Sequence, residues 1–430
     1  MKKEEYLERL TEQIRCRKAR EPVRREICQH IEEQTASYME EGMSGEEAEA
    51  AAVRDMGDPE KTGIALDKIH RPQMAWRLIV LIGILGLAGI AVSSEILFAQ
   101  EAIGAGGTFV IRQGVYFVLS FLAMIGICYC DYSRIAARAK GIYLCMALLL
   151  GVLLPRYGLE LNGSIRWINL GGIAVNLLAF AFWLAPLYGA VLYTYKGQGY
   201  QALAKGILWM VPGLWGAYTA PSMSTAVVLF LTFAVLLSAA VFKKWFQVSR
   251  KRTLGILWGT ILTAPAAVCF YVLKFGAGYQ AERLRAVFDP ASMGGPARMI
   301  RELLKSSRFI GGGVLNGEIG YIDYSEYALT YLIAYYGILA GILLTALIAW
   351  LFWRFMKISL KQKNQLGMMM GIGCSAALLL QFGLFLCNNL GFGMMGVSCP
   401  FFSYGCGEMM SSFMMFGLLL SIYRYEKVLA

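Results

Sequence analysis

Ten runs of apolar residues follow one another along the chain, at 75–95, 109–131, 138–155, 173–195, 204–219, 223–242, 254–275, 327–355, 367–388 and 402–423. Each approaches the roughly 20 residues that a helix needs to cross a hydrocarbon core. The pattern predicts an all-α, polytopic membrane protein with ten transmembrane helices over residues 73–430. The runs are continuous, whereas the strands of an outer-membrane barrel alternate over short stretches. Residues 1–72 carry a different pattern and predict a small soluble helical domain. Glu21-Pro22 can open a helix, because proline tolerates the first helical position, and Gly42 can close it with a left-handed residue. Ser44 and Glu47 have capping-box spacing. Gly57 ends that helix and Asp58-Pro59 begins another, with Ala48, Ala51, Ala52, Val53 and Met56 on one face.

Composition agrees with the pattern. The chain is 57% hydrophobic and 16% charged, with a mean hydropathy of +0.53, whereas soluble domains carry about 25% charged residues. A soluble globular enzyme, a disordered chain and a fibre are excluded, and no nucleic-acid partner is expected. Charge divides the chain at the same boundary: residues 1–72 hold 13 Lys+Arg against 17 Asp+Glu, and the remainder is strongly basic. The start lacks the apolar core of a signal peptide. The stretch Gly42–Pro59 resembles the cytosolic prefix domains of some bacterial permeases and sensors, a resemblance that names no partner.

Lys and Arg set the orientation. Arg134, Arg138 and Lys140, then Lys196 and Lys205, then the cluster from Lys243 to Arg252, then Arg354 to Lys363, and finally Arg424 and Lys427 fall in alternate connections. Both termini are therefore expected in the cytosol. The long loop 276–326 lies on the opposite side with six basic and six acidic residues. A structureless loop of that length would be unusual, so short helices are expected within it.

Chemistry in such a chain belongs where polar groups gather beside the bilayer. His30 and His70 both precede the first run, and no cysteine set has zinc spacing, so no resident metal site is expected. The outer loops offer Arg166, Arg283, Arg285, Asp289, Arg301, Asp323 and Glu326. Arginine forks grip phosphate oxygens, and a carboxylate can take a proton from a sugar hydroxyl. This combination suits a phosphorylated lipid, while composition alone also fits a solvated loop with ordinary ion pairs.

The motifs go further. Asn162-Gly163-Ser164-Ile165-Arg166-Trp167-Ile168-Asn169-Leu170-Gly171, then Pro221-Ser222-Met223-Ser224-Thr225-Ala226, then Arg283 to Pro290 with Asp289, then Asn389-Leu390-Gly391, then Gly396-Val397-Ser398-Cys399-Pro400-Phe401-Phe402-Ser403-Tyr404-Gly405 stand in a fixed order. Together they resemble the SEDS proteins (shape, elongation, division and sporulation), the FtsW/RodA/SpoVE group, over about residues 75–425. That resemblance implies a glycosyltransferase of the bacterial cytoplasmic membrane. Such an enzyme polymerises lipid II or a related undecaprenyl-linked sugar, usually beside a class B penicillin-binding transpeptidase. It implies Glu326 at the position of the family's essential aspartate, as general base, with Asp323 as second candidate. Arg166, Trp167, Arg283, Asp289, Asn389, Ser403 and Tyr404 become the expected substrate-binding residues. The diphosphate leaving group would need a cation, either a side chain or a divalent metal ion.

The chain also departs from the family pattern. The family's "Q-P-S-E-x-x-K" is Asn176 to Phe182 here, with Ala179 and Phe182 in place of the charges. Ser222 replaces an aspartate, Ala334 and Tyr335 replace two glutamates, and Glu408 replaces a serine. These changes keep a non-catalytic lipid-binding regulator or scaffold open as the alternative. A lipid-linked precursor transporter is a weaker one, because the spans are charge-poor and no inverted repeat is evident.

Overall fold

A computed structural model describes the whole chain except residues 100–105, 162–163, 172, 221, 276–295, 312–325, 393–397, 427 and 429–430. It separates into two compact units. One comprises Met1–Ala75 with Gln362–Asn364 and Ile422–Ala430, and the other Trp76–Lys361 with Gln365–Ser421.

The first unit is built on four helices, Lys3–Glu12, Arg17–Glu40, Gly45–Asp55 and Pro59–His70. Asp58 accepts the Glu60 amide at 3.0 Å with Pro59 in the first turn, and Glu47 Oε2 accepts the Ser44 hydroxyl at 2.7 Å. Gly42 and Gly57 take positive φ of 100° and 75° after their helices. The second helix starts at Arg17, earlier than the proline predicted, and Pro22 lies inside it. The ring removes one backbone hydrogen bond, but Ala19, Val23, Ile27 and Ile31 form a buried stripe that spans it. Tyr6, Leu7, Leu10 and Ile14 meet that stripe, and Val428 from the chain's end joins the same core. Lys18 Nζ lies 5.4 Å from the centre of the Tyr425 ring, within cation–π range.

Asp67 is a buried charged residue of this unit. Its Oδ2 accepts from Arg71 Nη2 at 2.8 Å and its Oδ1 from the Arg15 amide at 3.0 Å. Burial pushes its carboxyl upward, but these hydrogen bonds outweigh it and hold the group below its ordinary value. A carboxyl depressed in the folded state adds stability above the unfolded value, and that increment is lost as pH falls through the native one. Asp67→Asn should therefore speed hydrogen exchange across residues 3–70 of the full-length chain at about pH 7, by an amount matching about 1–2 kcal/mol. As pH falls through the native value the two proteins should converge; a difference that stays constant on acidification would contradict this account.

Among the described residues of the second unit, seven helices are long and apolar enough to cross a membrane. They fall on the first, second, third, sixth, eighth, ninth and tenth apolar runs. The seventh run lies within Arg250–Phe275. The chain is a multi-pass membrane protein.

Three runs differ from single helices, and the fold is not purely α. The fourth run begins as a strand. Leu159–Leu161 (β1), Ser164–Leu170 (β2) and Ile173–Asn176 (β3) form an antiparallel sheet in the order β1-β2-β3. Leu170 pairs with Ile173, and Gly171 after Leu170 takes φ +60°. Glycine suits that geometry, and β-branched Ile173 and Val175 suit a pleated strand. The run then continues as a 3₁₀ stretch, Leu178–Trp183, and a helix, Leu184–Tyr193. The fifth run breaks between Tyr200–Leu208 and Met210–Thr219, because Pro212 cannot donate to the Leu208 carbonyl. Carbonyls beside the break are met by hydroxyls: Tyr143 donates to Trp209 O at 2.6 Å and Tyr188 to Gly206 O at 2.9 Å. Such compensation is required inside a bilayer.

The eighth run splits into Ala328–Tyr336 and Ile338–Lys361 at Gly337, whose φ is +100°. A Cβ there would lie 2.9 Å from Phe309 O. The amides of Ile338 and Leu339 donate to Arg308 O and Phe309 O, so this loop satisfies the open first turn of the second piece. The long loop does contain a helix, Pro296–Ser306, whose Ile300, Met299 and Leu303 pack against Tyr327 and Tyr331. The centre of the unit is the Gln365–Asn389 helix, buried along most of its length.

Candidate functional site

The site is assembled from four separated segments. Arg166 is carried by β2, and Glu326 lies two residues before the Ala328–Tyr336 helix, whose N-cap is Tyr327. Arg166 Nη1 stands 3.8 Å from Glu326 Oε1, with the two side chains 23% and 27% exposed. At that separation the pair is an electrostatic contact longer than a hydrogen bond, partly open to solvent.

Asn389, the last residue of the central helix, is completely buried. Its Nδ2 donates to Glu326 O at 3.0 Å and to Phe385 O at 2.9 Å. Its Oδ1 accepts the Thr330 amide at 3.0 Å and the Thr330 hydroxyl at 3.1 Å. The Thr330 amide lies in the first turn of its helix, where donors lack intrahelical partners, so Asn389 caps that helix from a distance. Gly391 closes the central helix with φ +75°, and its carbonyl accepts both Nε and Nη2 of Arg301 at 3.1 and 2.7 Å. The amphipathic Pro296–Ser306 helix thus holds the turn that follows Asn389.

β2 is fixed from the other side. Trp167 pairs with Asn176, and the Leu177 amide donates to Arg166 O at 2.9 Å. The Arg166 guanidinium carbon lies 6.0 Å from the Trp167 ring centre.

Ser403 and Tyr404 occupy a turn before the last helix. Ser403 Oγ accepts the Cys399 amide at 2.7 Å, and Gln113 Nε2 reaches Ser403 O at 3.5 Å. Tyr404 and Tyr116 have ring centres 6.3 Å apart. The first span packs directly on this turn: a Cβ on Gly89 would collide with Phe401 O. Cys399, in the same turn, is buried.

Of the expected site residues, Arg166, Glu326 and Asn389 come together, with Trp167 adjacent to Arg166 on β2. Ser403 and Tyr404 share the second cluster. Asp323, Arg283 and Asp289 lie outside the described residues. Thr330 was missed from the sequence; its one signal is a single threonine four residues beyond Glu326 in an apolar, aromatic stretch. Gln113, a single amide inside the second apolar run, was missed as well. Among the described residues, no group of three or more His, Cys, Asp or Glu gathers as a metal site. The arrangement therefore offers an acid, a guanidinium beside it, and a buried amide that pins the acid's backbone.

Comparison with known proteins agrees with this architecture. Residues 72–428 match the cell cycle protein family of FtsW, RodA and SpoVE. A probable peptidoglycan glycosyltransferase FtsW of Thioalkalivibrio sulfidiphilus is 28% identical over 395 residues, covering 87% of this chain and 94% of that one. Stage V sporulation protein E of Bacillus subtilis is 23% identical over 344 residues, covering 74% and 87%. Among solved structures, a chain of a peptidoglycan synthase complex superposes with a TM-score of 0.64 at 21% identity, covering 82% of this chain and 98% of that one. The rod shape determining protein RodA of Thermus thermophilus gives 0.57 at 18% identity, covering 82% and 97%. The match spans far more than half of the residues, and the chain belongs to the FtsW/RodA/SpoVE family of cell cycle proteins.

Proposed function

We propose that this protein is a peptidoglycan glycosyltransferase that polymerises lipid II into glycan strands at the outer face of the bacterial cytoplasmic membrane. It spans the membrane ten times with both termini in the cytosol, and works with a class B penicillin-binding transpeptidase. The observation that carries the reading is Glu326: its backbone is pinned by buried Asn389 and its carboxylate faces Arg166 at 3.8 Å. The names of its curated relatives and the synthase-complex fold support the same reaction and the same kind of partner.

Glu326 is the general base. Its carboxylate accepts the proton of the acceptor sugar's hydroxyl as that oxygen forms a bond to the donor's anomeric carbon. The bond from that carbon to the diphosphate breaks, and the lipid diphosphate leaves with the electron pair. Arg166 stabilises the charge that develops there, as fixed cations do at developing anions. Trp167, Asn389, Ser403 and Tyr404 shape the lipid-facing site, together with Arg283 and Asp289; Asp323 is the second candidate base. Among the described residues no group of three or more His, Cys, Asp or Glu gathers, and no step is assigned to a divalent cation.

The second reading is a non-catalytic regulator or scaffold that binds the lipid. It is favoured by Ala179, Phe182, Ser222, Ala334 and Tyr335, which remove charged groups at family positions. Incubating the purified full-length protein and a class B penicillin-binding partner with lipid II separates the two. Glycan polymer on a gel is expected. Lipid II binding without polymer, with the partner present, would establish the second reading instead.

A further inference from the structure

The last helix, Cys406–Arg424, carries a carboxylate in its first turn that the reaction above does not use. Glu408 is 9% exposed and Asn176, at the end of β3, is 8% exposed. Asn176 Nδ2 donates to Glu408 Oε1 at 2.6 Å, and Asn176 Oδ1 accepts the Ala179 amide at 3.3 Å. Burying a charged side chain in a membrane protein is costly and such residues are usually functional, so the surroundings of this one are informative.

Two glycines clear the space for the contact. A Cβ on Gly405 would collide with Glu408 Oε2, and one on Gly407 would collide with Asn176 O. The Tyr404-Gly405-Cys406-Gly407-Glu408 segment is therefore shaped around both halves of one hydrogen bond. A second link runs parallel to it: Ser411 Oγ donates to Ala179 O at 2.8 Å and so holds the start of the 3₁₀ stretch.

The contact leads to the site by a short route. Asn176 pairs with Trp167 across the β2–β3 ladder, and the amide of Leu177, the next residue, donates to the carbonyl of Arg166. Arg166 faces Glu326. We propose that the Glu408–Asn176 hydrogen bond is a clasp that sets the position of β2, making Glu408 a positioning residue for Arg166 and the site it completes. The activity arm of this inference rests on the polymerase reading; the structural arm does not.

The test exchanges the roles of the two groups. Asn176→Asp places two carboxylates where one hydrogen bond stood, while an oxygen of the new side chain can still accept the Ala179 amide. Adding Glu408→Gln restores a donor opposite that carboxylate, so the bond re-forms with its direction reversed. Full-length proteins in nanodiscs are compared by hydrogen exchange of the amides at 165–177 and by kcat and KM for lipid II polymerisation. The single variant should exchange about tenfold faster in that segment and lose about tenfold in kcat, the scale of one broken buried hydrogen bond. The double variant should recover both. Faster exchange with unchanged kcat would overturn the positioning role, leaving a purely structural bond. Failure of the double variant to recover, or wild-type exchange in Asn176→Asp, would overturn the clasp itself. If the wild type forms no polymer, the polymerase reading fails while exchange still decides the clasp.

Discussion

Glu326→Gln should reduce lipid II polymerisation by roughly 10²- to 10⁴-fold, the range attributed to a positioned general base. The protein should still insert and should bind lipid II within a few-fold of wild type. The substitution keeps shape and most hydrogen-bonding capacity but removes the proton acceptor. The backbone contact from Asn389 goes to the residue 326 carbonyl, so it survives the change. What Arg166 loses is a charge at 3.8 Å across a partly exposed gap, and such pairs contribute little, typically about 0–1 kcal/mol. A loss of hundreds-fold therefore cannot come from the ion pair and must come from the proton transfer. Polymerisation at an unchanged rate would remove Glu326 from the mechanism, and the same measurement on Asp323→Asn would then decide whether the second candidate acts instead.

The sequence pattern located the long spans well because the bilayer imposes one requirement on all of them, continuous apolar length. It did worse where that requirement is met by something other than a straight helix. Ile173-Ala174-Val175 is as apolar as a span, and hydropathy does not separate a β-branched strand from a helical turn; the pairing of Leu170 with Ile173 decides it. Gly337 sits in the apolar run as any glycine might, but its φ of +100° divides the run in two. Residues 204–219 contained Pro212, a readable warning of the break. At the site, motif spacing supplied Arg166, Glu326 and Asn389 as separate names. It held no sign that Asn389 reaches back 63 residues to the Glu326 carbonyl, because hydrogen bonds between distant segments leave no period in the chain. The same is true of Asn176 and Glu408, which read one at a time as departures and are partners in space.

That long-range contact carries the second large prediction. Asn389→Leu should lower polymerisation by about 10- to 100-fold and lower the stability of the membrane unit by about 2–4 kcal/mol, because several buried groups lose their partner together. The substitution is close in volume and suits an apolar interior, so packing alone predicts a small effect. The hydrogen bonds predict otherwise. Asn389 uses both donors, to Glu326 O and Phe385 O, and its Oδ1 serves the amide and hydroxyl of Thr330. The Thr330 hydroxyl also donates to Asn389 O at 2.8 Å, a bond to the backbone that leucine retains. Leucine also withdraws the bonds that Asn389 makes to the Thr330 amide and the Glu326 carbonyl, at the start of the helix that Glu326 precedes. Losing both lets that turn shift, and a displacement of the order of 1 Å at a reacting group is enough for a 10²-fold loss. Asn389→Asp separates the two effects: its carboxylate still accepts the Thr330 amide but cannot donate to Glu326 O. The aspartate variant should therefore keep more stability than the leucine variant while remaining defective in polymerisation. Thermal unfolding in detergent and a gel-based polymer assay on the same preparations measure the two quantities, and full activity in Asn389→Leu would show that Glu326 does not depend on this anchor.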